Sequence, residues 1–77
     1  MITKINRYTG KLDIGQLYQS KTDGNIVRVD SIKKPDKVFV VNLTYVQSNT
    51  KKGLTLPIPA YDFEKDVNWG KWKLINP

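Results

Sequence analysis

Residues 37–46 read KVFVVNLTYV, the longest run of β-branched and aromatic side chains in the chain. Such side chains fit a pleated, half-buried surface, so the run is predicted to be a strand. The pleat period of two puts Phe39, Val41, Leu43 and Tyr45 on one face. Val38, Val40, Asn42 and Thr44 fall on the other, so the strand begins apolar on both sides and should be central.

Its neighbours follow outward in both directions. Upstream, KKPDK is a turn in which Pro35 presets φ. Before it, NIVRVDSIKK places Val27 and Val29 on one face and Arg28 and Asp30 on the other. Ile26 and Ile32 interrupt that alternation and suggest a bulge or a strand half covered on both sides. TDGN supplies an Asp-Gly hairpin whose two central residues both tolerate positive φ, and IGQLYQS is the first strand. Residues 1–13 alternate weakly and read as an arm or an extra edge strand.

Downstream, QSNTKKG is a polar loop, and LTLPI aligns Leu54, Leu56 and Ile58. Pro57 cannot donate to a ladder, so that strand is at an edge or ends there. PAYDFEKDV can form one helical turn, with Phe63 and Val67 four residues apart. NWGKWKLIN, residues 68–76, reads as the last strand, with Trp69, Lys71, Lys73 and Ile75 outward beside the inward pair Trp72 and Leu74. Trp69 is then either packing over lysine stems or a stacking platform flanked by phosphate-neutralising charges.

Composition sets the bounds. Seventy-seven residues make one small domain, 39% hydrophobic. With no cysteine and no histidine, disulfides and the usual zinc, Ser-His-Asp and Cys-His designs are excluded. Neither a P-loop nor a dinucleotide-binding glycine pattern is present. Asp62 and Asp66 would share a helical face, but the placement of Asp62 and Glu64 at the positive end of a helical turn explains these acids better than catalysis or metal binding. No catalytic residue, metal ligand or cofactor is therefore expected. No apolar stretch is long enough to span a bilayer, and no secretory leader is recognisable. The sequence reads as a soluble, cytoplasmic protein with no membrane partner, monomeric or homodimeric.

Thirteen Lys and Arg face seven Asp and Glu, for a net charge of +6 and a pI near 9.7. That balance favours a polyanionic partner: nucleic acid, or an acidic protein surface. The candidate binding residues are Arg28, Lys33, Lys34, Lys37, Trp69, Lys71 and Lys73. Arg28 can hold a phosphate bidentately or pair with a nearby acid. Lys21 and Arg28 are expected near the Lys33 cluster, and Lys51 and Lys52 at the other end of the domain.

Short strands joined by tight turns, with a helical turn before the last, predict an all-β fold: a small five-stranded SH3-like or Tudor-like barrel over residues 14–75, whose closure removes exposed edges. GQLYQSKTDGNIVRVDSI, the Val-x-Val strand and LPIPAYDFEKDVNW together resemble the small SH3-like barrel proteins encoded by phages and mobile elements. The resemblance implies an accessory binding protein, working in the host cytoplasm if phage-encoded, and by itself transfers no activity. Three roles fit: a nucleic-acid binder, a module that docks on a host enzyme or nucleic-acid machine, and an oligomeric binder of a phosphorylated small molecule.

Overall fold

The computed structural model describes residues 8–76. Five strands and one helix follow in the order β1 (Leu17–Ser20), β2 (Ile26–Lys33), β3 (Val40–Gln47), β4 (Thr55–Pro59), α1 (Ala60–Asn68) and β5 (Trp72–Leu74). All pairings are antiparallel, and the sheet runs β4-β3-β2-β1-β5. Strands β4 and β5 thus lie at opposite edges, and the sheet is not closed into the expected barrel. The helix supplies the physical reason. It has nine residues rather than one turn, and it covers the apolar face that closure would otherwise have hidden.

The core lies between that helix and one face of the sheet. Tyr18, Val27, Val29, Val41 and Leu43 project from β1, β2 and β3, and Ala60 and Phe63 come from α1. Phe63 is fully buried and meets the Tyr18 ring edge-on at 5.2 Å and the Trp72 ring at 5.5 Å. Leu12 seals the core from the irregular segment Tyr8–Asp13. The remainder of the anticipated arm or edge strand, residues 1–7, lies outside the described residues.

Strand β3 is central, as its composition demands, but it starts at Val40, leaving Val38 and Phe39 exposed in the preceding loop. Register shifts beside Ile26 and between Val29 and Ser31 are the irregularity expected in β2. The β1–β2 loop spans Lys21–Asn25, and only Gly24 has positive φ, so it is not the two-residue turn expected of Asp-Gly. Edge strand β4 bonds to β3 through Leu56 and Ile58, given the alternation of an antiparallel ladder. Its outward positions are Thr55, Pro57 and Pro59, and the two prolines have no donor to offer another strand.

The tail departs most from expectation. Trp69 caps α1 with helical dihedrals (φ −83°, ψ −3°), and Gly70 follows at φ +86°. Gly70 N–H donates to Val67 O, and Lys71 N–H to Asp66 O, the paired bonds of a Schellman stop. In place of the usual apolar contact, Lys71 Nζ reaches Asp66 at 3.8 Å. Pleat alternation begins only at Trp72, where Trp72 and Leu74 turn to the core and Lys73 to solvent.

Candidate nucleic-acid interface

An antiparallel meander sorts its connections between two ends. The β1–β2 loop and the β3–β4 loop (48–54) share one end, called upper here. The junction from α1 to β5 joins them, because Lys21 N–H donates to Lys71 O at 3.0 Å and Ser20 pairs with Trp72. The β2–β3 loop (34–39) and the start of α1, where Ala60 N–H donates to Phe39 O, lie at the lower end.

The expected binding residues therefore divide into three groups. Lys33, Lys34 and Lys37 stand at the lower end, with the Lys34 ammonium 5.1 Å from the centroid of the Phe39 ring, which in turn packs against Tyr8. Arg28 and Lys73 lie on the sheet face away from the helix. Arg28 Nε donates to Asp30 at 2.7 Å, and Thr44 Oγ1 donates to the other oxygen of the same carboxylate. These hydrogen bonds, from Thr44 and then Arg28, hold the Asp30 carboxyl below its ordinary value. The guanidinium is thus partly engaged within its own strand. Trp69 and Lys71 belong to the upper end, where the Trp69 side chain is 76% exposed.

Lys21 also belongs to the upper end, not beside the Lys33 cluster, because its loop precedes β2 rather than following it. Lys51 and Lys52 join it from the β3–β4 loop. The Lys51 ammonium sits 5.4 Å from the Tyr45 ring centroid. Across the sheet, the upper rim carries Lys51 and Lys52, then Lys21, then Lys71 and Trp69. Between the two loops is an open cleft of about 390 Å³. At its lip Asp23 accepts from Asn25 N–H and Asn25 Nδ2, and its carboxyl is lowered by the Asn25 N–H first and by the charge of Lys51 among lesser causes. Counting hairpin parity along the sequence would have found this grouping, since loops after odd-numbered strands share an end.

No protein-family model, curated protein or solved structure matches this chain.

The acids of α1 do not converge. Asp62 lies 4.0 Å from Lys65 and Asp66 pairs with Lys71. Glu64, between them in sequence and expected only to suit the positive end of a helical turn, is buried. It accepts hydrogen bonds from Thr9 N–H and Oγ1 and from Lys11 N–H, and so fastens the segment before β1 to the helix. Among the described residues, no three His, Cys, Asp or Glu side chains are grouped to hold a metal ion, and no helix is long and apolar enough to cross a membrane.

Proposed function

We propose that the chain is a non-enzymatic binding protein that holds nucleic acid along its upper rim. One observation carries this reading: the fold brings Lys21, Lys51, Lys52 and Lys71 to the same end as the highly exposed Trp69. Lysines neutralise phosphates, and an exposed indole offers a face on which any base can stack. Only three ion pairs are formed among the described residues, so most of the positive charge is available to a partner. The path of the chain supports an opened SH3-like topology, a meander whose last strand, entered from a helix, returns to β1. An accessory role in a phage or mobile element rests on the resemblance in sequence.

The lower end favours a second reading, as a module that docks on an acidic protein. Val38 and Phe39 are exposed there, 45% and 38%, beside Lys33, Lys34 and Lys37. Apolar side chains ringed by cations suit a protein surface better than a phosphate backbone.

Intrinsic fluorescence tests the first reading. Trp72 packs against Phe63, so quenching on titration with an oligonucleotide reports mainly on Trp69. Quenching should occur at low salt and weaken steeply by about 200 mM, as release of counterions requires. No quenching and no change in anisotropy at low salt would refute nucleic-acid binding.

A further inference from the structure

We infer, building on the nucleic-acid reading above, that the ligand is a single strand and that one unpaired base enters the cleft between the β1–β2 and β3–β4 loops. The cleft is lined by Asp23, Asn25, Gln47, Ser48, Asn49 and Lys52, among others. The side-chain hydrogen bonds of the two loops involve Gln19, Ser20, Thr22, Asp23, Asn25 and Ser48, and leave the amides of Gln47 and Asn49 unused among the described residues. A carboxamide presents a donor and an acceptor side by side, the pattern that pairs with the edge of a base. Lys52 at the same cleft supplies a charge for the adjoining phosphate.

The remaining geometry also favours one strand over two. A duplex is read by a helix or ribbon that enters its major groove. Here α1 is committed to the core through Ala60 and Phe63, and the three hairpins lie within the sheet apart from their loops. A single strand needs only a groove of charge with stacking surfaces. From the cleft, which sits over β2 and β3, to the α1–β5 junction the rim spans two to three inter-strand spacings of roughly 4.8 Å, about 12 Å. That length takes a few extended nucleotides, with a base in the cleft at one end and another on the Trp69 indole at the other.

The test is fluorescence anisotropy with labelled oligonucleotides of about 12 residues, offered single-stranded as each homopolymer, as a duplex, and in competition with nucleoside monophosphates. The single strand should bind at least about tenfold tighter than the duplex. Trp69→Ala should weaken it about five- to hundredfold, the range for loss of one stacked base. Lys52→Ala should reduce the slope of log K against log salt by about 0.7. The double variant Gln47→Ala/Asn49→Ala should level the differences among homopolymers and leave the salt slope unchanged. All four side chains are exposed, and circular dichroism checks that each variant folds. Duplex binding as tight as single-strand binding would overturn the inference, as would a base preference indifferent to Gln47 and Asn49. Monophosphates competing as well as the strand would reassign the cleft to a free nucleotide. These results leave the broader reading standing, whereas absence of binding by every nucleic acid at low salt removes both.

Discussion

Glu64→Gln should be among the most damaging isosteric substitutions in this domain. The carboxylate is 3% exposed. One oxygen accepts Thr9 N–H at 2.8 Å, and the other accepts Thr9 Oγ1 at 2.7 Å and Lys11 N–H at 3.1 Å. Glutamine keeps the shape but turns one oxygen into an NH₂ donor. If that NH₂ replaces the first oxygen, it faces Thr9 N–H. If it replaces the second, the Thr9 hydroxyl can rotate to accept, but Lys11 N–H has no partner. Either orientation leaves a backbone donor without its acceptor, costing about 1–3 kcal/mol, and weakens the remaining bonds by removing their charge. A total near 2–3 kcal/mol is set against a global stability of about 4–12 kcal/mol for a chain of this length. The melting temperature should fall by roughly 8–24 °C.

The pH dependence separates this cause from general damage. Burial alone disfavours the Glu64 anion, but the Thr9 and Lys11 donors, with the Lys11 charge, outweigh it and hold the carboxyl below its ordinary value of 4.5. A folded value below the unfolded one means that the carboxylate stabilises the fold fully above the unfolded value. That contribution is lost as pH falls through the depressed folded value. Asp30, lowered by Thr44 and Arg28, acts with the same sign. Thermal melts by circular dichroism from pH 7 to pH 3 should show the parent losing more stability on acidification than Glu64→Gln. Equal losses, or melting of the variant within about 2 °C of the parent at pH 7, would refute the role assigned to this carboxylate.

Gly70→Ala should cost about 1–2 kcal/mol in urea denaturation, because the helix stop places this residue at φ +86°. A Cβ there would meet nothing within 4 Å, so the penalty is conformational, and Gly70→Asn should recover part of it. Phe63→Ala should remove about 3–5 kcal/mol, a large share of the stability of so small a domain, and Phe63→Leu about 1–2 kcal/mol. Denaturation midpoints that order the two variants the other way would contradict the packing of Phe63 against Tyr18 and Trp72.

Much of this structure is legible in local pattern. The β3 alternation, the irregularity of β2 and the edge position of β4 all follow from period-two patterning and from what proline cannot donate. Each is a property of a few adjacent residues. The misreadings share a different origin. Tyr61 to Val67 contains one strong i,i+4 apolar pair and alternating acids, too little amphipathicity to distinguish one turn from about two and a half. The strand expected over residues 68–76 presumed that Trp69 and Gly70 were extended. Glycine next to a short helix is equally the residue of a helix stop, and the outcome depended on where the helix ended. Closure of the barrel was a global property that no window of sequence encodes. Most of the lysines that group together lie in loops, and which loops share an end is set by the order of the strands rather than by any local pattern.

The length of α1 links these points to the proposed binding surface. β4 runs to the lower end, where Pro59 pairs with Val40. A single helical turn advances the chain only about 5 Å, which would leave β5 to start near that same end. Nine residues carry it about 13.5 Å back across the core face, so that Trp72 meets Ser20 at the upper end and β5 can descend antiparallel to β1. The residues between helix and strand are Trp69, Gly70 and Lys71, and they come to rest beside Lys21 because the helix is that long. The exposure of Trp69 follows as well: the Schellman stop turns the backbone toward β5 and leaves the preceding side chain outside the turn. Phe63, by fixing α1 on the core, therefore positions the proposed interface without belonging to it. A substitution that frays the last turn of α1 should disperse the Trp69–Lys71–Lys21 grouping before it unfolds the sheet.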